Sequence, residues 1–192
     1  MNWLAHLFLS EPDVEARIGQ VAADWVKGDA RLSFAPRIRH GFARHREIDN
    51  FTDAHPIALR SIARIEPPFK RYAAVLIDVF YDHFLACDWR VFSSEQTLAE
   101  FTAEVYSQFA AYDGELHPDV RRGLSRMAAD DWLGSYATTE GIDLTLKRVS
   151  RRLRRANILG EALPQLIDHY ADLREDFHLF FPLLRAHVRR LS

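Results

Sequence analysis

The run Ala73-Ala74-Val75-Leu76-Ile77-Asp78-Val79-Phe80-Tyr81-Asp82-His83-Phe84-Leu85 constrains this chain more than any other segment. It predicts a long apolar helix over about 69–87, with Asp78 and Asp82 inside it. A spacing of four residues is a little more than one helical turn, so the two carboxylates share a side with Val75 and Leu85. A charge on a core-facing side is costly unless something compensates it. Two like charges one turn apart also repel, and in low dielectric one of them tends to hold a proton. A divalent cation removes the conflict, and carboxylates suit Mg²⁺ or Mn²⁺. The plainer alternative is a pair of acids that cap a helix or pair with arginine, and Arg71 lies in the same stretch.

Helical periodicity continues along the rest of the chain. Val14, Ile18, Val21, Ala22 and Trp25 mark one face of a helix ending near Gly28. Further helices are expected from Pro36 to about Asn50, at 57–64, and at about 95–112 with capping from Ser93-Ser94-Glu95-Gln96. Others should run from Pro118 to about Leu133 and from Thr139 to near Arg155. A final helix follows Gly160 and Pro164, and Pro182 should kink or break it. No segment alternates with period two between turn signals, and there is no Gly-rich phosphate loop. The fold class is all-α: a single helical domain spanning residues 1–192.

The helix after Pro36 repeats the pattern of acids on an apolar side. At about 100° per residue, Ile38, Phe42, His45 and Asp49 fall within about 60° of one another. The apolar stripe thus runs into a His and an Asp, either as a buried hydrogen-bonded pair or as part of a cation site. Arg46 beside them can bind a phosphate oxygen or join a salt bridge. Asp24 lies at the edge of the preceding stripe, in Ala23-Asp24-Trp25-Val26-Lys27-Gly28. His6 sits in the apolar opening Asn2-Trp3-Leu4-Ala5-His6-Leu7, and His83 is turned about 100° from Asp82. Singly, each has an easy structural explanation; together they suggest a site. Cys87 has no basic partner marked in the sequence.

Bulk properties exclude several classes. A chain of 192 residues with 48% hydrophobic residues can bury a sizeable core. A net charge of −2 predicts no general attraction to nucleic acid or membrane. One cysteine excludes an internal disulfide and a multi-cysteine zinc site, and it fits a reducing cytoplasm. No stretch approaches the roughly 20 apolar residues that span a bilayer. The charge is uneven, however. Lys147-Arg148-Val149-Ser150-Arg151-Arg152-Leu153-Arg154-Arg155 holds six cations in nine residues and no acid. On a helix, Arg148, Arg151, Arg152 and Arg155 form one ridge, either a solvated face or a dock for an acidic partner.

Taken together, several motifs resemble the bacterial acyl carrier protein phosphodiesterase family. They are the opening Asn2-Trp3-Leu4-Ala5-His6-Leu7, then Ala23-Asp24-Trp25-Val26-Lys27-Gly28, and His45-Arg46-Glu47-Ile48-Asp49 followed by Thr52-Asp53. Asp78-Val79-Phe80-Tyr81-Asp82-His83-Phe84-Leu85 and Ser150-Arg151-Arg152-Leu153-Arg154 complete the set. The resemblance implies removal of 4′-phosphopantetheine from the serine of holo-acyl carrier protein, dependence on Mn²⁺ or Mg²⁺, and a divergent helical bundle like that of HD-type phosphohydrolases. The chain has no His-Asp dipeptide, so it departs from the usual HD pattern.

The residue patterns and the resemblance point to one chemistry, in-line attack of a metal-activated water on phosphorus with the serine oxygen leaving. Asp24, His45, Asp49, Asp78 and Asp82 form the expected pool of metal ligands and water base. His6 or His83 is the expected proton donor, and Arg46 the expected phosphate contact. The Arg148, Arg151, Arg152 and Arg155 ridge becomes the expected dock for the acidic carrier protein. The rivals are an HD-like phosphohydrolase acting on a nucleotide, and a non-enzymatic helical module that binds acidic partners.

Overall fold

The computed structural model describes residues 1–153 and 156–191, and in them the chain is helical with no strand. The helices are α1 (Trp3–Phe8), α2 (Val14–Ala22), α3 (Pro36–Ala54), α4 (Pro56–Arg64), α5 (Ala73–Cys87), α6 (Trp89–Phe92), α7 (Leu98–Ala111), α8 (Pro118–Ala129), α9 (Thr139–Ser150), α10 (Leu163–Asp168) and α11 (Tyr170–Arg189). No described helix is long and apolar enough to cross a membrane.

Local chemistry sets the helix starts. Asn2, Asp13, His55, His117 and Thr138 each accept a hydrogen bond from a first-turn N–H of the helix that follows. Proline opens α3, α4 and α8, where its missing N–H costs nothing. The start of α7 differs from expectation: Thr97 and Glu100 form the capping box, later than the Ser93–Gln96 cluster.

The α5 helix lies at the centre, and Leu76, Val79, Phe80, Tyr81, Phe84 and Leu85 are completely buried. Val75, at the entrance to the same stripe, is 39% exposed. The side shared by Asp78 and Asp82 therefore runs from the surface into the core. Helix α11 packs Phe177 and Phe180 against α5, and Phe181 against Phe8 of α1 and Phe92 of α6. It runs unbroken through Pro182, so the expected break does not occur. Buried Phe181 and Leu184, on either side of the proline, hold both halves to the core.

Helices α2 and α3 approach with almost no side chain between them. A Cβ on Gly19 would sit 2.2 Å from the Ile38 carbonyl, and one on Gly41 would sit 2.5 Å from the Ala16 carbonyl. This contact brings the backbone of Gln20 within reach of His45. Two helices end earlier than their sequence periodicity implies. Helix α2 stops at Ala22, leaving Asp24 and Trp25 in a turn, and α9 stops at Ser150. The continuous ridge expected from Arg148 to Arg155 is therefore not formed as one helical face, and Arg155 itself lies outside the described residues.

Candidate metal centre

Three side chains from two helices converge at the candidate centre. Helix α1 brings His6, and α3 brings His45 and Asp49, whose ligand atoms all lie within 4.8 Å of one another. No other group of three or more metal-ligating side chains this close occurs among the described residues. Asp49 bridges the two imidazoles, with Oδ1 at 3.1 Å from His6 Nε2 and Oδ2 at 3.0 Å from His45 Nε2. The rings stack with centroids 3.8 Å apart.

The proton on His45 is fixed by its other nitrogen. Nδ1 lies 2.8 Å from the backbone carbonyl of Gln20, which can only accept, so Nδ1 carries the hydrogen. In the neutral ring this leaves a bare lone pair on Nε2, facing Asp49 at 3.0 Å and Asp24 Oδ1 at 3.6 Å. His6 Nδ1 faces Gln20 Oε1 at 3.2 Å, and its Nε2 faces the Met1 carbonyl and Asp49, both at 3.1 Å. The Gln20 amide nitrogen is buried without a partner, so this side chain could also be turned with its NH₂ toward His6. The backbone carbonyl that holds His45 has no such freedom.

Charge cannot be supplied by two imidazoliums. Burial and the nearby His45 hold the His6 pKa down to about 4. Burial pushes Asp49 up, but its contacts with the His45 and His6 rings outweigh it and hold the carboxylate pKa well below its usual range. An imidazolium on His45 would satisfy Asp49 alone; a divalent cation would satisfy Asp49 and both Nε2 atoms together. The donor set of two imidazoles and a carboxylate, with Nδ1–H···O contacts behind it, fits Mn²⁺ and similar ions.

The structure sorts the other sequence candidates clearly. Asp24 borders the cluster: Trp3 Nε1 donates to its Oδ2 at 2.8 Å, and its side chain remains 40% exposed. Asp78 pairs with the Met1 ammonium at 2.7 Å, and burial raises its pKa. Burial opposes that ammonium, but Asp78 and Asp49 prevail and raise its pKa to about 11. Asp82 is completely buried and accepts backbone hydrogen bonds from Leu4 at 2.7 Å, Asn2 at 3.2 Å and Ala5 at 3.4 Å. It anchors the start of α1, and burial raises its pKa to about 7 despite the ammonium and those N–H groups. Asp78 and Asp82 thus have separate partners in the structure. Their role is to dock the N-terminal segment so that His6 reaches the centre.

His83 lies elsewhere, with Nδ1 at 2.8 Å from the Tyr136 carbonyl and Nε2 at 3.2 Å from the Tyr170 hydroxyl. It is also the basic neighbour of Cys87 that the sequence does not mark, with Nε2 3.6 Å from Sγ. Burial raises the thiol pKa and lowers that of His83, so the pair stays neutral. Arg46 points to solvent on α3 and makes no ion pair with a described residue. Gln20 and Trp3 are site residues missed from the sequence. The available signals were a polar residue in the buried stripe of α2 and a tryptophan in the apolar opening.

The fold and centre define a helical domain with a His/carboxylate site suited to a divalent cation. The family model for acyl carrier protein phosphodiesterase matches residues 1–184. A protein of that name from Photorhabdus laumondii subsp. laumondii is 29% identical over 187 residues, covering 96% of this chain and 93% of its own. Another from Escherichia coli O157:H7 is 30% identical over 190 residues, covering 99% and 98%. No solved structure matches the chain significantly. The chain belongs to the acyl carrier protein phosphodiesterase family, and it is an enzyme of that class.

Proposed function

We propose that the protein hydrolyses the phosphodiester joining 4′-phosphopantetheine to the serine of holo-acyl carrier protein, with Mn²⁺ or Mg²⁺ as cofactor. The observation that carries this reading, beyond family membership, is His45: its Nδ1 is held by the Gln20 carbonyl, and its Nε2 converges with His6 and Asp49. His6, His45 and Asp49 would hold the cation. When bound there, a divalent cation neutralises phosphoryl charge and makes water a better nucleophile.

The chain's own groups account for the proton movements. Asp24 is held by Trp3 yet open to solvent, which suits a base that takes a proton from the attacking water. As the water oxygen bonds to phosphorus, the bond from phosphorus to the serine oxygen breaks, and Asp24 returns the proton to that oxygen. His83 has both ring nitrogens engaged and is not needed for this step. Exposed Arg151 supports docking of an acidic carrier protein by charge complementarity.

One feature favours a phosphopantetheine group over a nucleotide. Beside Asp24, Trp3 stacks on Trp132 with centroids 5.3 Å apart, and the two rings are only 1% and 7% exposed. That aromatic platform is already filled and offers no face for a base.

Purified holo-acyl carrier protein incubated with the enzyme and Mn²⁺ should lose the phosphopantetheine mass in an intact-mass spectrum. Retention of the full mass with Mn²⁺ and with Mg²⁺ would overturn the proposal.

A further inference from the structure

Two of the arginines in the basic segment turn toward the centre rather than away from it. The Arg152 guanidinium lies over the Trp3 ring, 4.5 Å from its centroid, and that of Arg148 lies over Trp132 at 4.2 Å. From Arg152 the path to the centre is short. Trp3 Nε1 holds Asp24 at 2.8 Å, and Asp24 lies 3.6 Å from His45.

Neither guanidinium has a carboxylate within ion-pair distance among the described residues; the one hydrogen bond between them is from Arg148 to the Thr145 hydroxyl at 3.4 Å. Partial burial against the tryptophan rings lowers both pKa values, while Arg152 keeps an exposed surface that an anion can reach. Nearby, the hydroxyl of completely buried Tyr136 has no hydrogen-bond partner. Its electrostatic neighbours are Asp82, Arg148, Asp24 and Arg152. By contrast, buried Arg17 meets Glu104, and buried Asp88 meets Arg174.

We propose that Arg152, with Arg148 beside it, forms an anion seat that binds the phosphoryl oxygens of the substrate next to Asp24 and the His6–His45–Asp49 centre. Trp3 and Trp132 are the rigid base of the seat. Stacking leaves the edge N–H groups of a guanidinium free to form a fork, which a lysine cannot reproduce. The inference rests on the phosphodiesterase reading and deepens it, because it moves these two residues from docking of the carrier protein to recognition of the phosphate itself.

The test uses the Mn²⁺-loaded enzyme and free 4′-phosphopantetheine, with pantetheine and inorganic phosphate as further probes, by titration calorimetry. Arg152→Gln should weaken 4′-phosphopantetheine binding about 10- to 100-fold. Arg152→Lys should recover part of that loss, and pantetheine should bind wild type and both variants equally weakly. Inorganic phosphate should follow 4′-phosphopantetheine in direction. With holo-carrier protein, the same variants should raise KM or lower kcat while Mn²⁺ affinity stays unchanged. Equal 4′-phosphopantetheine affinity in wild type and Arg152→Gln would overturn the seat. So would a defect seen only with the intact carrier protein, since that marks docking. Arg152→Lys preserves the charge and guards against a folding artefact, and a matched Arg121→Gln variant should change nothing. Failure of wild type to cleave holo-carrier protein would instead strike the phosphodiesterase reading, independently of the binding result.

Discussion

Asp49, half-buried, and Asp176, fully buried, are both held between helices, but their partners differ in kind. Asp176 is 1% exposed and is met by Arg60, by Ser61 Oγ at 2.8 Å and by Arg64 at 3.3 Å. Its charge is matched by guanidinium groups that remain cationic at every working pH. Asp49 is met by two imidazoles, one of which resists protonation and the other of which is oriented by a backbone carbonyl so that Nε2 faces it. The first arrangement is complete and ties α4 to α11. The second is the arrangement that the proposed divalent cation would complete. The difference teaches that burial of a carboxylate says little about function until the protonation state of each partner is worked out.

The largest effect expected from breaking this comparison is on catalysis. Asp49→Asn should lower the rate of holo-carrier protein cleavage at least about 10³-fold, with the protein still folded by circular dichroism. Asp176→Asn should behave in the opposite way. It weakens the buried acceptor of Ser61 and of two partly exposed arginines and should cost about 1–3 kcal/mol in denaturant unfolding, while the folded fraction keeps wild-type kcat.

Metal binding separates the two regions further. Mn²⁺ at 100 times its Kd should stabilise wild type by about 2.7 kcal/mol and should not stabilise Asp49→Asn. Gln20→Leu removes the side-chain partner of His6 but leaves the backbone carbonyl that orients His45. It should weaken Mn²⁺ binding about 10- to 100-fold in a calorimetric titration.

The sequence announced the need for compensation at Asp78 and Asp82 but not its source. The compensators are backbone N–H groups and the Met1 ammonium, about eighty residues away along the chain and invisible to local spacing. His45 and Asp49 were legible because they share one helix face. His6 was legible as a residue of interest, but its place beside His45 depends on the docking of α1 against α5. The all-α class and most helix starts were readable from periodicity, proline and caps. The end of α9 was not, because charge alone continues the helical pattern. Leu153 is 42% exposed, so a longer helix would have gained no core contact. Gln20 was hidden because one of its two site contacts comes from a main-chain carbonyl, which any residue could supply.

The smallest effect concerns the pH dependence of this docking. The folded-state pKa of Asp82 is raised from the ordinary 3.8 to about 7, so the folded protein holds a proton that the unfolded chain has released. By linkage, the Asp82 contribution to stability grows as pH falls from about 7 to about 4 and is lost as pH rises through about 7. The Tm deficit of Asp82→Asn relative to wild type should therefore widen over that interval on acidification. A deficit that narrows would mean that the three backbone N–H groups keep Asp82 ionised.

The proposed cation site at His6, His45 and Asp49 is tested most directly by pulsed electron paramagnetic resonance of Mn²⁺ added to the purified protein. Bound manganese should show nitrogen couplings from two imidazoles, lost in Asp49→Asn and retained in Asp176→Asn. Manganese that stays free in solution, or binds without imidazole nitrogen coupling, would contradict the account.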